Sequence, residues 1–107
     1  MSQQEFLEKF DAGYRFSEFE RRSLIWGSDL EQVEEKEGDD HRWQREIRTI
    51  LKAGDRNFAI NWMRALTEFQ ENEYPWQPVE VQYRQWEEVV VKHEWYPIDG
   101  RGINESN

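Results

Sequence analysis

The chain has 107 residues, with 14 basic and 23 acidic side chains, a net charge of −9, six tryptophans and no cysteine. That composition excludes a disulfide framework, a thiolate nucleophile and a cysteine-ligated metal. It also opposes nonspecific attraction to nucleic acid or to an anionic membrane.

No apolar run approaches the length of a membrane span, and the opening MSQQEFLEKF lacks a basic region followed by an apolar one. The expectation is therefore a single soluble domain over residues 1–107, working in the cytoplasm. From the N-terminus, residues 2–10 predict a short helix. Phe6 and Phe10 stand one turn apart with Leu7 beside them, against Gln3, Gln4, Glu8 and Lys9. Gly13 ends it. Ser17 followed by Glu20 has the form of a capping box, with Phe16 as its staple residue, and predicts a second helical turn over 18–22. Leu24-Ile25-Trp26 reads as the start of a strand. Residues 29–40, DLEQVEEKEGDD, hold seven acids and one base and read as a solvated loop or the polar end of a long hairpin. The same run could continue the Leu24 strand and pair with 42–52 through a turn at Gly38-Asp39.

The strongest local signal is 41–66, which reads as two strands joined by a tight turn. Counting in twos puts Trp43, Arg45, Ile47, Thr49 and Leu51 on one face of the first arm and Phe58, Ile60 and Trp62 on one face of the second. With Gly54 and Asp55 as the central turn residues, Ala53 faces Arg56, and Leu51, Thr49 and Ile47 face Phe58, Ile60 and Trp62. Turn chemistry and hydrophobic face select the same register, because a one-residue slip would set an apolar face against a polar one.

Residues 65–82 contain four Glu and no base, and Pro75 and Pro78 exclude a regular central strand there. Trp76 sits between the two prolines. Val79, Val81 and Tyr83 resume the alternation, and 86–96, WEEVVVKHEWY, reads as a last strand with Val89, Val91, His93 and Trp95 on one face. Pro97 closes that strand, and a polar tail follows from Asp99. The fold class is α+β, a short N-terminal helix packed on an antiparallel sheet of about four strands with the hairpin central; a small open β-barrel is the alternative.

Charge is laid out unevenly. Residues 1–41 carry 12 acids and 5 bases, residues 42–64 carry 2 acids and 6 bases, and residues 65–107 carry 9 acids and 3 bases. The basic island interleaves Arg and Lys with Trp43 and Trp62, as a nucleic-acid stacking platform does. Parity opposes that use, since both rings fall on the core face while Arg42, Arg48 and Lys52 fall on the other. Cross-strand pairing with acids is the preferred role for these bases.

Catalytic signals are weak. His93 lies on an apolar strand face and reads as a packed histidine; His41 follows Glu37, Asp39 and Asp40, an oxygen-rich cluster without a recognised calcium-loop pattern. No nucleophile elbow, P-loop or dinucleotide turn is present. The expectation is a non-enzyme with no cofactor and no bound metal.

The segments DRNFAINW, LTEFQENEYPWQPVEV and VVVKHEW resemble small acidic proteins encoded by phages and prophages of Gram-positive bacteria. The resemblance covers roughly residues 40–96. A glycine precedes LTE in those proteins, whereas Met63-Arg64-Ala65 stands here, so the bend differs. The resemblance implies an accessory phage protein, a class that includes anti-CRISPR and other anti-defence inhibitors, acting in the cytoplasm of the host cell.

Together these readings give a binding protein that acts as a DNA mimic, offering carboxylates where a basic host protein expects phosphates. Such a partner binds nucleic acid, while this chain itself contacts neither nucleic acid nor membrane. The candidate contacts are Glu34, Glu35, Glu37, Asp39 and Asp40 in one patch and Glu68, Glu71, Glu73 and Trp76 in another. The alternative is a small structural or regulatory phage domain that homodimerises through a sheet edge.

Overall fold

The structure, a computed structural model, describes residues 1–85, 87–89 and 91–96. Helix α1 runs Gln3–Asp11 and α2 runs Glu18–Trp26; strands β1 (Glu31–His41), β2 (Gln44–Ala53), β3 (Arg56–Ala65) and β4 (Val79–Val81) follow. The strands form one open antiparallel sheet in the order β1-β2-β3-β4, so the fold is α+β, and the sheet does not close into a barrel.

Each helix begins where a side chain satisfies its free N–H groups. Ser2 Oγ accepts from Glu5 N at 3.1 Å. At α2 the full capping box forms: Glu20 N donates to Ser17 Oγ and Ser17 N donates to Glu20 Oε1. The carboxyl of Glu20 is accordingly held below its ordinary range, first by the Ser17 backbone N–H and then by the Tyr14 hydroxyl.

The helix does not stop at 22. Once a helix is nucleated, each added residue gains a hydrogen bond at little extra entropy, and Leu24 and Ile25 continue its buried face. Leu24-Ile25-Trp26 is thus helical rather than the start of a strand, and the helix closes at Gly27, whose N–H donates to Ser23 O at 2.8 Å.

The central hairpin takes the register that turn and face both select: Ala53 opposite Arg56, Leu51 opposite Phe58, Thr49 opposite Ile60, Ile47 opposite Trp62. Gly54 has φ +65°, a conformation glycine adopts without a steric cost, and its N–H donates to Gln3 Oε1 of α1 at 2.9 Å. Ile47, Leu51, Ala53, Phe58, Ile60 and Trp62 form one wall of the core, and Phe6, Phe16, Leu24 and Ile25 form the other. The Phe6 ring meets Phe58 edge-on at 4.8 Å and Phe16 at 5.4 Å. Arg56 ties three elements together, bonding both carboxylate oxygens of Asp11 (2.8 and 3.0 Å) and both of Glu80 (2.9 and 3.0 Å).

Three further expectations are corrected. β1 pairs along its length with β2, but the turn falls at Arg42-Trp43, with His41 opposite Gln44 and Arg42 at φ +25°, rather than at Gly38-Asp39. Alternation in β2 therefore begins after Trp43, and the ring is 51 % exposed instead of packed beside Ile47. The described residues of 86–96 form no strand and are exposed, His93 among them, because no neighbouring strand pairs with them. Pro97 and the tail from Asp99 lie outside the described residues.

Candidate functional site

The β1–β2 turn lies at the same end of the sheet as the loop that leaves β3. Leu66 N donates to Trp43 O at 2.9 Å, Gln44 Nε2 donates to Glu71 O at 3.4 Å, and Ala65 N donates to Asn72 Oδ1 at 2.8 Å. Met63 and Glu73 exchange two backbone hydrogen bonds of 2.8 and 2.9 Å. These ties carry Glu68, Glu71 and Glu73 to the end where β1 delivers Glu37, Asp39 and Asp40. The two acidic segments, about thirty residues apart in sequence, thus lie at the same end of the sheet.

Within β1 the pleat divides the acids between two faces. Glu35 stands beside Thr49, Glu37 beside Ile47 and Asp40 beside Arg45, all on the helix-covered side; Glu34 stands beside Ile50 on the other. Arg45 and Arg64 lie directly opposite each other across β2 and β3, a like-charge pairing that is unfavourable by itself. Glu37 resolves it by bonding Arg45 at 2.9 Å and Arg64 at 3.3 Å. Glu35 takes Arg64 at 2.8 Å and Asp40 takes Arg45 at 2.7 Å. The Arg45 guanidinium holds the Asp40 carboxyl below its usual range. Arg45, Arg56 and Arg64 are thus spent on neighbouring acids, whereas Arg42, Arg48 and Lys52, the bases for which cross-strand pairing is expected, enter no ion pair among the described residues.

Among the described residues, the carboxylates of Glu34, Asp39, Glu68, Glu71 and Glu73 enter no ion pair. Asp39, Glu68, Glu71 and Glu73 share their end of the sheet with exposed apolar groups: Trp43, with the Arg42 guanidinium 5.5 Å above its ring, Leu66, and Phe69 at 87 % exposure; Glu34, opposite Ile50, lies away from that end. A ring core with a charged rim is the composition of a protein-binding patch.

Comparison with protein-family models, curated proteins and solved structures gives no match for this chain.

The oxygen-rich cluster around His41 is not assembled. Glu37 and Asp40 turn toward Arg45 on one face, while His41 Nε2 sits 3.5 Å from Glu46 Oε1, across the Gln44 side of the sheet. No group of three metal-ligating side chains occurs among the described residues.

Trp76 is separated from the acidic end. Its loop runs from the Met63–Glu73 bridge to Val79 beside Ala59, and Gln77 pins it to the start of α2 by exchanging hydrogen bonds of 3.0 and 2.9 Å with the backbone of Phe16. The Trp76 ring is 44 % exposed. The residue that plugs this loop into the core is Tyr74, which sequence reasoning passes over because it stands in a polar run. Tyr74 is buried, and its hydroxyl accepts from Trp26 Nε1 at 2.6 Å. Its carbonyl accepts from Arg21 Nε, also at 2.6 Å. The only available signal was an aromatic residue directly before a proline, which restricts the backbone to extended geometry. Between α2 and this loop lies an open groove lined by Phe19, Arg22, Trp26 and Asn72.

Proposed function

We propose that this protein is a binding protein whose acidic end docks on a basic surface of a partner protein. The convergence of 37–40 with 68–73 around Trp43 and Phe69 supports this most directly. Free carboxylates steer the encounter with Lys and Arg, and the exposed rings supply the area that desolvates on contact. With the resemblance to phage accessory proteins, the reading extends to an inhibitor that occupies the nucleic-acid-binding surface of a host defence protein, carboxylates standing where phosphates would lie.

Self-association through the edge of β1 is disfavoured on the same grounds. A second copy would set one acidic strand against another, and two register irregularities, at Gln32/Glu34 and Glu37/Asp40, interrupt the free edge.

The test is capture from bacterial lysate with the full chain as bait, beside an Asp39→Lys, Glu68→Lys, Glu71→Lys variant and a Trp43→Ala, Phe69→Ala variant. Both variants should keep the parent's melting temperature within a few degrees. The first should lose the partner most at low salt, and the second should lose it at all salt concentrations. A partner retained equally by all three baits would sink the reading.

A further inference from the structure

β1 is the outer strand of the sheet, and all eleven of its residues are exposed. Among the described residues, no backbone–backbone hydrogen bond reaches it except those of its ladder with β2. Every second residue of such an edge turns its N–H and C=O outward, where one more extended segment can pair with them. No proline interrupts Glu31–His41. The register irregularities at Gln32/Glu34 and Glu37/Asp40 leave the stretch Glu34–Glu37 between them in unbroken register with β2, from Ile50 to Ile47. A short ladder fits there.

Charge selects what can add. The strand holds six acids against Lys36 and His41. On the helix-covered side the charges run in rows across the sheet, the facing Arg45 and Arg64 of β2 and β3 meeting Glu35, Glu37 and Asp40 of β1. Three carboxylates answer two guanidiniums, so the row ends at the edge with negative charge in excess. Glu37 and Asp40 stay exposed there in spite of their ion pairs. A further strand with Lys or Arg at alternate positions continues the row, because opposite charges facing each other on neighbouring strands attract. A second copy of β1 would bring acids instead.

We infer that the edge of β1 accepts an extended basic segment of the partner protein as a fifth strand. Main-chain hydrogen bonds along Glu34–Glu37 supply affinity, and alternate Lys or Arg side chains beside Glu35 and Glu37 supply selectivity. This rests on the basic partner proposed above and adds how that partner is held, by its backbone as well as its charge. Because β1 runs on into Asp39 and Asp40, the added strand is continuous with the acidic end.

The experiment titrates the full, isotope-labelled chain with a synthetic peptide of about ten residues in which Lys alternates with Thr or Val, types that favour strands. Two controls accompany it. One is the same peptide N-methylated at each central residue, which keeps the charge and removes the backbone donors; the other carries Glu in place of Lys. The Lys peptide should bind at low salt and slow hydrogen exchange at alternate amides of Glu34–Glu37. The methylated peptide should bind about tenfold more weakly or worse, having lost its main-chain hydrogen bonds, and the Glu peptide should not bind. Equal binding of methylated and unmethylated peptides overturns the inference but leaves docking by the acidic end intact, since charge alone then suffices. A Lys peptide that fails to bind, or that binds without protecting β1, overturns it equally, and capture with the Asp39→Lys, Glu68→Lys, Glu71→Lys variant decides the acidic-end reading separately.

Discussion

Tyr74 lies flat against Trp62, their ring centroids 5.4 Å apart and their planes 19° from parallel. Trp26 completes the cluster, edge-on to Trp62 at 5.5 Å and donating its N–H to the Tyr74 hydroxyl. One loop residue thus joins α2 to the centre of β3. Removing only the hydroxyl, Tyr74→Phe, should cost about 1 kcal/mol, the net worth of a hydrogen bond, whereas Tyr74→Ala should cost about 3–5 kcal/mol by opening a cavity. Trp76→Ala, two residues away but half-exposed, should cost only about 1 kcal/mol. Urea melts of the three variants check the order; a Trp76→Ala loss as large as that of Tyr74→Ala would transfer the plug to the wrong residue.

Thr49 is the buried polar residue in the wall of the core, and its Oγ1 accepts from Trp62 Nε1 at 2.9 Å. Thr49→Val keeps the volume and strands the indole N–H in an apolar site, for an expected loss of about 1–3 kcal/mol. Thr49→Ser, which retains the acceptor, should lose less. Ile60→Ala, directly across the pair, should cost about 2–5 kcal/mol. If Thr49→Val melts like the parent, the indole has found another acceptor and the assigned bond contributes nothing.

Acid should unfold this protein through a small set of carboxyls. The Arg56 guanidinium holds Asp11 and Glu80 below their ordinary range, as Arg45 does Asp40 and the Ser17 N–H does Glu20. A carboxyl whose folded pKa is depressed contributes stability that is complete above its unfolded value, about 4. That stability is lost as pH falls through the folded value. The melting temperature should therefore be flat with respect to these groups from neutral pH to about 5 and fall below about 4. Arg56→Met should start lower and show a shallower acid loss. Equal acid slopes in parent and variant would remove Asp11 and Glu80 from the account.

Chelation should change nothing. Glu37 and Asp40 are engaged by Arg45 on one side of the sheet and His41 faces the other, so the parts of an oxygen-first site do not converge. EDTA should leave the melting curve unmoved. A reproducible stabilisation by millimolar Mg²⁺ or Ca²⁺, abolished by Asp39→Asn with Asp40→Asn, would show that the turn can rearrange around an ion.

What is legible in the sequence is whatever short-range chemistry controls by itself. Ser17 and Glu20 start α2 because each satisfies the other's backbone N–H, and Gly54-Asp55 sets the hairpin register because turn and pleat agree on Leu51 against Phe58. Trp43 breaks from that face because alternation holds only while the ladder continues, and the ladder hands over to a turn one residue earlier. The candidate site is legible only in part. Its acids are plain in the composition, but the strand pleat and the positions of Arg45 and Arg64 decide which of them are spent internally and which stay free.

Tertiary structure alone decided the rest. Leu24–Trp26 is apolar enough for either a strand or a helix, and a helix that was already nucleated took it. Val89–Trp95 alternates as a strand should, yet a strand exists only where a neighbour supplies its hydrogen bonds, and none lies beside the described residues of that segment. The meeting of 37–40 with 68–73 depends on where the loop after β3 is tied down, by Leu66 on Trp43 and Glu73 on Met63. Those bonds link residues far apart in sequence, and their partners can be chosen only once the sheet is built.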